Sequence, residues 1–126
     1  MSKLLLGPLL GLESDAAYTV CFLTESSVAS ATVELDGVSH AAALASTLPS
    51  GKKFWRTELS IPAPPDDQVK TYIVKTDGET ASGAASRKDW QFLVPKAGAV
   101  PLMAYASCNG FSSADLVTKT ENPYEL

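Results

Sequence analysis

Ser107-Cys108-Asn109-Gly110 is the place in this chain where residue types and spacing could do chemistry, because it closes an almost unbroken apolar run from Val100 to Ala106. An apolar run without alternation predicts a strand covered on both faces, as in the central sheet of a layered α/β domain. Small polar residues at the carboxyl end of such a strand stand where open sheets carry their reactive groups. Cys108 then reads in two ways. It is a thiolate ligand, deprotonated by the metal it holds, or an ordinary small residue that closes a buried strand. Ser107 has no histidine or other base near it in sequence, which speaks against a nucleophile. Further on, Asn122-Pro123-Tyr124-Glu125-Leu126 has the form of a helix start, with Asn at the N-cap and Pro in the first turn. A helix that begins where the sequence stops leads to the expectation of an N-terminal piece of a longer protein.

Ser107-Cys108-Asn109-Gly110 after a hydrophobic strand, with Asn122-Pro123-Tyr124-Glu125-Leu126 downstream, resembles the alkaline phosphatase D (PhoD-like) metallophosphatases, and Leu6-Gly7-Pro8-Leu9-Leu10 is similar to that family's opening strand. The resemblance implies an immunoglobulin- or fibronectin-like β-sandwich followed by an α/β catalytic domain that begins near residue 100. It implies hydrolysis of phosphate mono- or diesters by the parent protein, with Cys108 a metal ligand there and the metal divalent or ferric (iron and/or calcium). Asn109 would then donate to a phosphate oxygen or orient its loop; read alone, it is a turn residue before Gly110. The family's remaining metal ligands lie further along than Leu126. One thiolate cannot make a site, so residues 1–126 alone are expected to hold no cofactor, to carry no catalytic residue and to have no turnover. The missing catalytic domain is the expected partner.

The other chemistry-bearing residues offer less. His40 is the single histidine, on an alternating stretch, and reads as a surface or half-buried side chain. Asp15 and the pair Asp66-Asp67 lack the spacing of a calcium loop and read as solvated loop residues. Cys21 falls inside a predicted strand and reads as a small buried apolar residue; without a convincing export signal, a disulfide to Cys108 is not expected. With a net charge of −4 and no basic cluster beyond Lys52-Lys53 and Arg87-Lys88, no nucleic-acid partner is expected. The leucine-rich start is broken by Gly7 and Pro8 and runs into Glu13 and Asp15, so it reads as an edge strand with Pro8 at a bulge or bend rather than a secretion signal. No stretch approaches a membrane span. A cytoplasmic chain is favoured over a secreted one.

The elements that must position such a site read as short strands. At 126 residues and 45% hydrophobic, the chain can build one core. Tyr18, Val20 and Phe22 alternate with Thr19, Cys21 and Leu23; both phases are apolar enough for a central strand. Ala31, Val33 and Leu35 alternate with polar residues up to Asp36-Gly37, a hairpin signal. Val38 to Leu44 reads as one returning strand, Phe54 to Ile61 as another with Trp55, Thr57, Leu59 and Ile61 on one face. Pro62 to Asp67 is a loop, followed by a strand from Val69 to Thr76, a flexible loop from Glu79 to Ser86, and a last strand through Trp90, Phe92 and Val94. About seven strands with regular turn signals predict a sandwich. Phe22, Trp55, Tyr72, Trp90 and Phe92 are the expected core anchors, and Tyr72 has the position for a tyrosine corner. Pro95 to Pro101 reads as an interdomain linker, giving units at 1–95 and 96–126. An apolar strand at 100–106 without its sheet needs a cover, which predicts docking on the sandwich or self-association through residues 98–117. An autonomous fibronectin-like binding module for protein or carbohydrate partners explains residues 1–94 equally well.

Overall fold

β2 (Ala17–Thr24) organises the protein because its neighbours on both sides are strands and its inner face is sealed. Val20 and Phe22 are fully buried and Tyr18 nearly so. The computed structural model describes residues 2–100 together with Ala104 and Tyr105. Ser107, Cys108, Asn109, Gly110 and the predicted helix start at Asn122 lie outside the described residues.

The protein is an all-β sandwich of two antiparallel sheets. One has the order β1 (Leu6–Ser14), β2, β6 (Lys53–Ser60), β5 (Ala43–Thr47); the other has β4 (Val38–Ala41), β3 (Ala31–Leu35), β7 (Gln68–Thr76), with β8 (Glu79–Thr80) and β9 (Trp90–Val94) sharing the far edge of β7. This is the A-B-E-D and C-F-G order of an immunoglobulin constant domain with one strand added beside C. β2 and β6 run in unbroken register from Ala17 opposite Ser60 to Thr24 opposite Lys53. That register sets Phe22 opposite Trp55 and Tyr18 opposite Leu59 on the inner face. They share one core cluster with Val33, Tyr72, Val74 and Val94 from the other sheet. Sealing each such side chain contributes about 1.5–3 kcal/mol. Trp55 also settles its polar edge, donating from Nε1 to Thr24 Oγ1 at 2.9 Å.

Both Asp-Gly pairs form the hairpins their chemistry demands. Asp36 (φ 48) with Gly37 (φ 83) joins β3 to β4, and Asp77 (φ 49) with Gly78 (φ 81) joins β7 to β8. Positive φ at both central residues marks the turn whose twist suits flanking strands. Asp77 does more: its Oδ1 accepts the backbone N–H of Ala29 at 3.0 Å and of Ser30 at 2.9 Å, fastening the β2–β3 loop to this turn.

Several expectations need correction. Val38 to Leu44 is two strands, not one. The inward phase is kept, with His40 opposite Val33 and Leu44 opposite Trp55, but the chain changes sheet at Ala42. Ala42 donates to Ala31 O at 2.9 Å and packs against the core, so the crossing costs neither a hydrogen bond nor a cavity. The loop from Glu79 to Ser86 is built in rather than loose. It holds β8, a short 3₁₀ turn at Ala84–Ser86 and the fully buried Ala81, whose N–H bonds Val74 O at 2.8 Å. Residues 2–5 clasp it: Leu4 donates to Ser82 O and Leu5 to Leu23 O, both at 2.8 Å, so the first residues bridge the two sheets. Trp90 and Phe92 are half-buried rather than central. Trp90 stacks on Tyr72 at 5.8 Å between ring centroids, and Phe92 meets it edge-on at 5.9 Å. Tyr72 is a buried core aromatic in mid-strand, and among the described residues no hydrogen bond ties its hydroxyl to a neighbouring loop as a tyrosine corner requires. Pro8 lies where expected, at the register break between Leu6 and Leu9 on the edge strand β1.

Replacing Asp77 by Ala removes two backbone anchors and the residue type that tolerates the left-handed conformation. We expect a loss of roughly 1–2 kcal/mol in urea unfolding, with Asp77→Asn retaining most of the stability. An Asp77→Ala variant as stable as the parent would show that this turn does not hold the β2–β3 loop.

Candidate functional site

Where the chain leaves the sandwich, the two layers part and leave an open groove of about 780 Å³. Leu12 of β1 and Tyr18 of β2 form one wall, Leu93 and Val94 of β9 the other, and Ala63 of the β6–β7 loop part of the floor. The opening follows from register. Leu10 and Leu12 stand opposite Val20 and Tyr18, so they point into the sandwich, yet they remain 42% and 65% exposed because the second sheet does not reach under β1. Asp15, Asp67 and Lys96 supply the polar rim.

The segment read as a free linker forms part of this site. Lys96 N–H donates to Asp67 Oδ1 at 2.8 Å, Ala97 N–H to Pro64 O at 2.9 Å, and Ala99 N–H to Lys96 O at 3.1 Å around Gly98 (φ 76). Residues 95–99 are thus strapped to the β6–β7 loop, and the chain departs from a defined point at the groove's edge. Beyond it Val100 and Tyr105 are 91% and 93% exposed and lie in no strand, as does Ala104. The docked strand expected from Val100 onward is therefore not formed at these three positions; Cys108 and Asn109 lie outside the described residues.

The remaining candidates stay apart. Cys21 faces outward on β2, opposite Leu9 and Arg56, and is half-buried and free, not the core residue expected. Burial pushes its thiol up, Arg56 partly opposes this and Glu13 adds to it, so little thiolate is present at neutral pH. It also points away from β7, so it cannot make the inter-sheet disulfide of an antibody domain. His40 lies on β4 with no acid beside it in the register. Asp67 spends one oxygen on the strap, and no group of three or more His, Cys, Asp or Glu that could hold a metal occurs among the described residues. No described helix is long and apolar enough to cross a membrane. The groove escaped sequence reasoning because its walls come from four separated segments; the one local signal was Leu12, an apolar residue beyond the broken start of β1.

Asp67→Ala should speed amide exchange at Lys96 and Ala97 with less than about 1 kcal/mol lost globally, since the bond is exposed; Asp66→Ala should leave both amides unchanged. Burial of Tyr72 pushes its phenol from 10.0 up to about 12. The folded state then holds that proton more tightly than the unfolded chain, so its stabilising share is complete below pH 10 and is lost as pH rises through about 12. The urea midpoint of the parent should fall more steeply over that window than that of Tyr72→Phe; equal slopes would place the phenol in water. No family model, no curated protein and no solved structure matches this chain.

Proposed function

We propose that the sandwich, residues 1–95, is the N-terminal accessory domain of a PhoD-like metal-dependent phosphoesterase, and that hydrolysis of phosphate mono- or diesters belongs to the residues that follow. The observation that carries this reading is the strapped exit. The sandwich holds its departing chain at a defined point beside an apolar groove, and the next motif along the chain is Ser107-Cys108-Asn109-Gly110. A scaffold that shapes a catalytic cleft needs both features, a defined departure point and an apolar surface next to it for the following domain. In the assembled protein Cys108 would serve as one metal ligand, Asn109 would lie near the phosphate, and the metal (iron and/or calcium) would neutralise charge on the phosphoryl oxygens.

The competing reading, an autonomous module for protein or carbohydrate partners, draws on the same groove. Tyr18 is the one aromatic side chain among its described lining residues and is only 7% exposed, so the groove offers no platform on which a sugar could stack.

The test is to express the reading frame that carries this chain, together with any sequence that follows Leu126, and to measure bis(p-nitrophenyl) phosphate hydrolysis and total bound metal. We expect turnover and metal together, both lost in Cys108→Ala while the unfolding temperature of the sandwich stays the same. A product with neither metal nor turnover would sink the phosphoesterase reading and leave a binding module as the better account.

A further inference from the structure

β1 is the longest edge strand among the described residues. It pairs with β2 alone, and its Leu6, Leu9, Leu10 and Leu12 remain 51%, 51%, 42% and 65% exposed. Natural sheets guard such edges with charges, prolines or bulges, because the free N–H and C=O groups recruit another strand. Here the guard is partial. Pro8 and the register break between Leu6 and Leu9 cover the first part, and a second break between Leu12 and Ser14 closes the far end; from Leu9 to Leu12 the ladder with β2 is regular, with no charged residue between Lys3 and Glu13. The other outer strand of the same sheet, β5, has no regular stretch of that length: its five residues break register between Leu44 and Ser46.

We propose that β1 is a self-association edge, along which two copies of this chain meet antiparallel across a two-fold axis near Leu10. A second copy fits this edge because its needs are reciprocal. Leu9 lies on the outer face, and Leu10 and Leu12 on the uncovered inner face, so a strand that docks here must be apolar on both faces, as β1 itself is. Antiparallel pairing centred on Leu10 sets Leu10 against its own copy and Leu9 against Gly11 within the regular stretch, so no like charges oppose each other there. The arrangement is isologous and closes at two copies, whereas pairing β1 with the β5 of another copy would propagate without limit. The inference is independent of the phosphoesterase reading; it is read from oligomeric state and survives or fails without any assay of turnover.

The test is light scattering and sedimentation of the full chain from micromolar to millimolar concentration. A dimer is expected, with its dissociation constant raised more than about tenfold by Leu10→Lys, which sets like charges opposite each other on the axis, or by Leu9→Lys, which sets them one diagonal apart, and unaffected by Leu44→Lys. As a second readout that leaves the edge apolar, Leu10→Cys in a Cys21→Ser, Cys108→Ser background should give a covalent dimer with copper phenanthroline, and Ala43→Cys in that background should not. A monomer at all concentrations, a dimer indifferent to both β1 lysines, a dimer abolished by Leu44→Lys, assemblies that grow beyond two, or equal cross-linking at Leu10→Cys and Ala43→Cys would each overturn the proposal.

Discussion

The burial of Val20, Phe22, Trp55 and Leu59 against Val33, Tyr72 and Val74 is the constraint on which the rest depends. With Cys21 turned outward, no covalent link spans the described layers where an antibody domain places its disulfide. The layers stay together through apolar contact, through the Ala42 crossing and through the clasp of residues 2–5 on Ser82. Net stabilities of small domains are only about 5–15 kcal/mol, so a core of this size leaves little surplus. Its polar groups are only partly paired: Trp55 donates to Thr24 and Thr24 Oγ1 passes a bond on to Glu25 O at 3.1 Å, whereas Thr57 Oγ1 and Thr76 Oγ1 are buried without a partner among the described residues.

Once β2 and β6 fill the middle of their sheet, β1 and β5 become edges, and the lengths of the two layers no longer match on the β1 side. The second sheet ends there in β8 and β9, stacked end to end along β7. Residues 2–5 cover the β8 half by pairing with Ser82, while the β9 half stays open. The groove, the exposed leucines and the half-burial of Trp90 and Phe92 are three views of this one mismatch. Tyr18 spans it, meeting Phe92 at 5.4 Å, and this contact marks where the core stops.

What was legible in the sequence was whatever is decided locally. Alternation along Ala31–Leu35, Phe54–Ile61 and Val69–Thr76 assigns inner and outer faces because a strand has a period of two wherever it lies. Asp36-Gly37 and Asp77-Gly78 announce their turns because few residues accept positive φ. The Ala42 crossing was hidden for the same reason: a strand that changes layer without losing phase keeps its pattern. Ala81 could not be read as core, since a small residue among Gly, Ser and Ala looks like loop until Val74 and the N-terminal residues are placed around it. Cys21 was misread because β2 is apolar on both faces, and only the pairing with Leu9 and Arg56 shows which face is covered less. The strap at Lys96 depends on Asp67, far away in sequence, so Pro95 to Pro101 carried the signature of a linker and nothing of its tether.

That tether also sets how firmly the sandwich can direct whatever follows it. Two hydrogen bonds, an exposed one to Asp67 and one to the carbonyl of Pro64, contribute together about 1–3 kcal/mol, which corresponds to a strap closed roughly 5 to 150 times more often than open. A junction of that strength favours one direction of departure without locking it. The groove beside it can add what the strap lacks. Each apolar side chain brought against Leu12 and Leu93 contributes at about 25 cal/mol per Å² removed from water, and it does so at the high local concentration that a short tether provides. The strap selects the direction and the groove would supply the adhesion, and neither needs the other to be strong.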